Sequence, residues 1–219
     1  LVVYSPSLLV NWNIEKHTKK VKIARHHFVQ SDDLKINGKV KDRDNLVAYV
    51  GRLSEEKGFH NFLKAIPLVK LSDVKFIICG DGDLMETMQN FLKENSIDNV
   101  QIKGWIPNQK LASYMGKSKL IVIPSYTEGL PNTLLEAMST GTPVLATPVG
   151  AIPDIITNGE NGFLMEDNTP ETIARNIEKV LSSDNLDEIA TKAFEDLLTN
   201  FSYQKTSKDW EKVINSLKS

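Results

Sequence analysis

Between residues 45 and 146, short β-branched runs alternate with longer stretches of helical period, and that alternation restricts the chain to βα units building a parallel sheet. Strands are expected over 45–50, 73–79, 100–103, 120–123 and 143–146. Helices are expected between them, over 58–69, about 83–95, 109–117 and 131–140. The first of these helices carries Phe59, Phe62, Leu63 and Ile66 on one face. The expected fold class is α/β: a Rossmann-like, doubly wound parallel sheet flanked by helices, which binds ligands outside the carboxyl ends of its strands.

A further short strand is expected over 162–165. From Thr169 the pattern turns wholly helical, over 169–182, 186–199 and 201–217, with Ser, Thr, Asn or Asp at the starts. The expected division is an interdomain linker and first strand over 1–44, a Rossmann-like domain over 45–183, and C-terminal helices over 184–219 packing on it. The run Leu1-Val2-Val3 lacks an initiator Met and reads as strand, as in a chain cut from a larger protein.

The 219 residues are 41% hydrophobic and 25% charged, enough to bury a sizeable core in one or two domains. A formal charge of −2 provides no global cationic field, so no nucleic-acid partner is expected. Cys79 is the single cysteine, which excludes an intramolecular disulfide and a cysteine-rich metal site and suits a reducing, cytoplasmic compartment. No apolar run approaches the ~18 residues of a bilayer span. Residues 11–25 hold His17 with Lys16, Lys19, Lys20, Lys22 and Arg25. A solvated face is the expected reading, with peripheral contact to the inner face of a membrane as the alternative.

Four strand ends carry polar or glycine-containing loops. The first, Gly51-Arg52-Leu53-Ser54-Glu55-Glu56-Lys57-Gly58, puts two cations before an electropositive helix start, which suits a diphosphate. Its structural alternative is a surface loop in which Arg52 and Lys57 pair with Glu55 and Glu56. The second, Gly80-Asp81-Gly82-Asp83, reads as a tight turn with Asp83 capping the next helix. The third, Gly104-Trp105-Ile106-Pro107, places a tryptophan where it can face a nucleobase or pack.

The strongest signal is Ser125-Tyr126-Thr127-Glu128-Gly129-Leu130-Pro131-Asn132-Thr133-Leu134-Leu135-Glu136. Pro131 sets a helix start, leaving backbone N–H groups around Gly129–Thr133 without intrahelical acceptors and open to an anion or a sugar hydroxyl. Two carboxylates, Glu128 in the loop and Glu136 about two turns into the helix, can bracket one ligand, one on a hexose and one on a ribose diol. Alternatively, Glu128 serves the helix dipole and Glu136 faces solvent.

Taken in order, Val50-Gly51-Arg52-Leu53 with Glu56-Lys57-Gly58, Gly80-Asp81-Gly82, Gly104-Trp105-Ile106-Pro107, Glu128-x7-Glu136, and Gly150-Ala151-Ile152-Pro153-Asp154 resemble the C-terminal domain of retaining glycosyltransferases of family 4. The resemblance covers about residues 45–183. It implies one half of a GT-B fold, binding a UDP- or GDP-sugar donor, with the acceptor sugar or lipid held by an N-terminal domain absent from this chain.

The resemblance also implies roles. Arg52 and Lys57 would hold the donor diphosphate and Glu128 would contact the transferred sugar. Gly129, Leu130 and Asn132 would add backbone N–H groups, Glu136 would hold the ribose, Thr133 and Leu134 would line the phosphates and nucleoside, and Gly51 and the Trp105–Ile106 backbone would complete the donor site. It implies no cofactor and no metal, and a fragment that transfers poorly alone. The alternative is a non-catalytic nucleotide-sugar-binding regulatory module. A dinucleotide oxidoreductase lacks support, because no Gly-x-Gly-x-x-Gly turn is present.

Overall fold

The computed structural model describes residues 1–25, 27–28, 36 and 38–216. Six strands form one parallel sheet: β3 (Leu46–Val50), β4 (Lys75–Cys79), β5 (Val100–Gly104), β6 (Leu120–Ile123), β7 (Val144–Ala146) and β8 (Phe163–Leu164). Their order across the sheet is β5-β4-β3-β6-β7-β8. The chain winds outward from β3 to the β5 edge, then crosses back to lay β6 along the other side of β3. Val47 sits in register with Phe76 on one side and Leu120 on the other.

The central strands are apolar throughout because both faces are covered. All four residues of β6, Leu-Ile-Val-Ile, are buried. The alternation of strand side chains sorts the core into two layers. Val47, Tyr49, Phe76, Ile78, Leu120 and Val122 face one layer, and Ala48, Ile77, Ile121 and Ile123 face the other. At the β5 edge the pattern changes to mostly exposed residues, as an edge strand allows.

The first layer is filled by α2 (Phe59–Ala65), α3 (Met85–Glu94) and α6 (Pro170–Leu181). Tyr49 anchors an aromatic cluster there, 4.8 Å from Phe59 and 5.3 Å from Phe62 between ring centroids. The second layer is filled by α4 (Asn108–Met115), α5 (Asn132–Ser139) and α7 (Leu186–Phe201). Cys79, at the end of β4, is 3% exposed in this layer, and burial pushes its thiol pKa up to about 11.

Two helix starts are capped as the sequence suggests. Thr169 accepts from the Thr172 N–H at the start of α6, and Ser202 from the Lys205 N–H at the start of α8 (Tyr203–Asn215). Asp83 caps nothing. The turn before α3 closes on itself instead, with Asp81 Oδ1 accepting the Gly82 N–H and the Leu84 N–H donating to the Leu53 carbonyl. Leu217, the expected end of the last helix, lies outside the described residues.

The leading segment stands apart from the main sheet. Val2–Val3 (β1) pairs in parallel with Lys22–Ile23 (β2), and Ser7–Asn11 (α1) runs between them. Hydrogen bonds tie this unit to the main body at places that include Asp154 and α8. Asp154 accepts from Ser5 Oγ, from the Ser7 N–H at 2.8 Å and from Ser7 Oγ at 2.7 Å. At the second of these, Trp210 of α8 donates its indole N–H to the Arg25 carbonyl at 2.9 Å, while the Arg25 guanidinium lies 4.7 Å over the Phe201 ring. No helix among the described residues is long and apolar enough to cross a membrane.

Candidate functional site

A parallel sheet opens a crevice where the strand order reverses, because the loops leaving the two strands there turn to opposite faces. In this chain the reversal falls between β3 and β6. A cleft of about 400 Å³, open solvent included, lies there. It is lined by the ends of β3 (Tyr49, Val50, Gly51) and β6 (Ile123, Pro124, Ser125), and by Lys57, Glu128, Asn132 and Thr133.

At its centre the Lys57 ammonium stands 2.9 Å from both carboxylate oxygens of Glu128. The Glu128 side chain is 6% exposed and that of Lys57 34%. Ser125 Oγ donates to the same carboxylate at 2.7 Å, and the Ser125 carbonyl in turn accepts from Thr147 Oγ1 at 2.6 Å. The two side chains are 71 residues apart in sequence and meet only because β6 returns beside β3.

The first loop is carried to the cleft by a left-handed turn. Gly58 has φ +65° and packs against the Pro124 carbonyl, so that α2 begins directly against the end of β6. Asn61 and Asn168 fasten the same junction: Asn61 donates to the Tyr126 hydroxyl at 2.9 Å and to the Asn168 carbonyl at 2.8 Å, and Asn168 donates to the Pro124 carbonyl at 2.9 Å.

On the opposite wall α5 begins. Pro131 is its N-cap with extended backbone, and neither the Asn132 nor the Thr133 N–H has an acceptor among the described residues. Such groups at a helix start are available to an anion. The Thr133 hydroxyl reaches the Val50 carbonyl at 3.4 Å, which fixes the helix start to the end of β3.

The structure departs from the structural alternatives in part. The ion pair of Lys57 is with Glu128, although the charges of Arg52 and Lys57 still favour ionised Glu56, and the Glu128 side chain makes no cap hydrogen bond to α5. Glu136 lies one turn past Asn132, not two turns into the helix, because the helix starts after Pro131. It is half-buried, and burial raises its carboxyl pKa above the ordinary range.

Of the other expected residues, Gly51 lines the cleft. Arg52 is exposed beside it, and its carbonyl accepts the Tyr49 hydroxyl at 2.7 Å. Gly129 lies beside the Tyr4 hydroxyl, and its carbonyl accepts the Ala151 N–H at 2.8 Å. Leu130 and Leu134 are core side chains, 7% and 0% exposed, and the Leu134 N–H is taken by the Pro131 carbonyl at 3.1 Å. Leu134 therefore has neither group free for a ligand. Trp105 is 74% exposed after edge strand β5, outside the cleft lining, while Ile106 packs on the second core layer.

Sequence reasoning missed Ser125 and Tyr49. A serine three residues before Glu128 in the same loop was the available signal for the first. Burial, with the nearby charges of Glu128 and Glu56, raises the Tyr49 pKa far above its ordinary value, so its hydroxyl stays a neutral hydrogen-bond donor to the Arg52 carbonyl. Among the described residues no group of three or more His, Cys, Asp or Glu could hold a metal ion.

Comparison with known proteins gives a consistent pattern. The family model "Glycosyl transferases group 1" matches residues 30–196. An uncharacterized glycosyltransferase of Methanocaldococcus jannaschii is 30% identical over 79% of this chain and 48% of its own length. A 2-deoxystreptamine N-acetyl-D-glucosaminyltransferase of Niallia circulans is 30% identical over 76% of this chain and 44% of its own. Among solved structures, S. aureus TarM in a complex containing UDP superposes with TM-score 0.84 at 22% identity, over 98% of this chain and 43% of that one. Anabaena HepE with UDP gives TM-score 0.83 at 18% identity, over 98% and 63%. These two likenesses establish the shared GT-B-type α/β fold. The chain spans about half the length of the curated relatives it matches.

Proposed function

The chain belongs to the group 1 glycosyl transferase family, and on that premise we propose that it is the donor-binding half of a retaining enzyme that transfers a hexose from a nucleoside-diphosphate sugar. The observation that carries this reading is the meeting of Lys57, Glu128 and the open N–H groups of Asn132 and Thr133 in one cleft at the reversal of strand order. It brings together, from three separate elements, a cation, a carboxylate and a helix start.

In this reading the N–H groups at the start of α5 take phosphate oxygens. Lys57 and the neighbouring Arg52 neutralise the charge that gathers on the departing diphosphate, where preformed donors contribute most to rate, and no metal is needed for that task. The Glu128 carboxylate accepts from hydroxyls of the transferred sugar, and Glu136 from the ribose diol. The backbone at Trp105 and Ile106 meets the base, UDP or GDP being the expected donors. The acceptor, a sugar or a lipid-linked sugar, would be held by a further domain of the kind that makes the relatives about twice as long. Peripheral contact of that longer enzyme with a membrane belongs to the same proposal.

Calorimetric titration of the chain with UDP, GDP, ADP and NAD tests the reading. One of the nucleoside diphosphates should bind and NAD should not. Absence of heat with all three nucleoside diphosphates would overturn it.

Glu136 gives the site a pH signature. Its folded pKa is raised by burial, so ionised Glu136 costs stability, and the cost appears as pH rises from the ordinary carboxylate value through the raised one. Glu136→Gln should therefore raise the melting temperature at neutral pH, with the gain gone near pH 4. Ribose hydroxyls that donate to the carboxylate favour its ionised form. Affinity for the nucleotide should accordingly rise with pH through the elevated pKa in the wild type and be flat over that range in Glu136→Gln.

A further inference from the structure

In the cleft, the group expected to hold the diphosphate holds the group expected to hold the sugar. Lys57 reaches both Glu128 oxygens at 2.9 Å, and the one further donor to that carboxylate among the described residues is Ser125 Oγ. At 6% exposure Glu128 has almost no water to fall back on. Removing its cation would leave a buried carboxylate with one hydroxyl, a costly arrangement.

We propose that the Lys57–Glu128 pair is an exchange contact that makes the cleft select a sugar-bearing nucleoside diphosphate over the bare one, and so expels the product. This inference rests on the donor-site reading given above. A bare nucleoside diphosphate draws Lys57 away and leaves Glu128 unpaired. A nucleoside-diphosphate sugar draws Lys57 to the diphosphate and supplies sugar hydroxyls to Glu128 in its place, so both halves of the broken pair find partners.

Transfer breaks the bond between the anomeric carbon and the β-phosphate oxygen, with the electron pair leaving on the diphosphate. The sugar bonds to an acceptor hydroxyl, whose proton passes to the departing diphosphate oxygen. Glu128 then loses the hydroxyls as the glycosylated acceptor departs and competes for Lys57 again, which loosens the diphosphate. Selection for substrate and release of product thus come from one pair of side chains.

The test compares affinities by calorimetry for UDP against UDP-glucose and GDP against GDP-mannose, in the wild type, Glu128→Gln and Glu56→Gln. Glu56 is exposed in the Lys57 loop and feels the charges of Arg52 and Lys57 without an ion pair to either, so Glu56→Gln removes the same unit of charge near the diphosphate while leaving the Lys57–Glu128 contact in place. Glu128→Gln should bind the bare nucleoside diphosphate about tenfold tighter than the wild type and lose the preference for the sugar conjugate, while Glu56→Gln should shift it by less than about threefold.

Unchanged affinity for the bare nucleotide in Glu128→Gln, or an equal gain in both variants, would overturn the exchange while leaving the donor site standing. If the wild type binds no nucleoside diphosphate, the donor-site reading falls and the exchange falls with it. Should Glu128→Gln fail to fold by circular dichroism, Ser125→Ala serves with the opposite sign. It strips the last donor from the unpaired carboxylate, so bare nucleotide should bind more weakly and the preference for the conjugate should widen. A preference that stays constant in Ser125→Ala would overturn the exchange.

Discussion

Lys57→Ala is expected to abolish nucleoside-diphosphate binding at accessible concentrations and, at the same time, to destabilise a protein that contains no ligand. The two effects have one cause. Lys57 is the cation of the cleft, and it is also the partner of the Glu128 carboxylate, which is only 6% exposed. Removing one member of a fully buried pair costs ~3–5 kcal/mol, and the 34% exposure of Lys57 discounts this to about 1–3 kcal/mol.

Urea denaturation read by circular dichroism measures that loss. The double variant Lys57→Ala/Glu128→Gln should recover most of it, because the remaining amide needs no cation. It should not recover nucleotide binding. A double variant no more stable than Lys57→Ala would mean that the pair contributes little to the fold.

Gly58→Ala should be strongly destabilising. The new Cβ would run into the Pro124 carbonyl, which is backbone and cannot rotate aside, and the φ of +65° is itself unfavourable for alanine. Together these cost about 3 kcal/mol or more. For a domain of this size that lowers the melting temperature by about 6–12 °C.

Gly159 is the control. Its φ is +80°, but nothing lies within 4 Å of the position its Cβ would take, so Gly159→Ala carries the backbone cost alone. A melting temperature equal in the two variants would show that the α2 start is free to move off β6. Because the Gly58 turn also delivers Lys57 to the cleft, nucleotide affinity should fall in Gly58→Ala and hold in Gly159→Ala.

The sheet was readable from the chain because its strands are short, β-branched and buried on both faces: Leu46–Val50 and Leu120–Ile123 admit few other structures. The cleft was readable in part. Lys57 and Glu128 each stood out in their own loops, but the contact between them spans 71 residues and depends on which side of β3 the sixth strand takes, which no local pattern encodes. Local alternatives therefore looked adequate, with Glu55 and Glu56 as neighbours for the lysine and a helix start for the glutamate.

Asp83 failed for a related reason. Its spacing suits a cap, but the N-cap position falls one residue later, at Leu84, whose N–H is held by the Leu53 carbonyl from a distant loop. Leu134 shows the limit of carrying roles over by position: it lies in the motif, but in the folded chain its side chain belongs to the core and its N–H is taken by the Pro131 carbonyl. The part expected of Leu130 was its backbone N–H, which the burial of its side chain leaves untouched.

The burial of Cys79 has a practical consequence. A thiol 3% exposed, with a pKa of about 11, is almost entirely unreactive in the native fold, so a thiol reagent can label this protein only through openings that unpack the sheet behind the cleft. With one sulfhydryl in the chain, the labelling rate is a single-site clock for those openings, needing no engineered probe. A nucleotide that binds only the closed form should slow the clock by the factor 1 + [L]/Kd, which turns a buried thiol with no part in the chemistry into a direct gauge of occupancy.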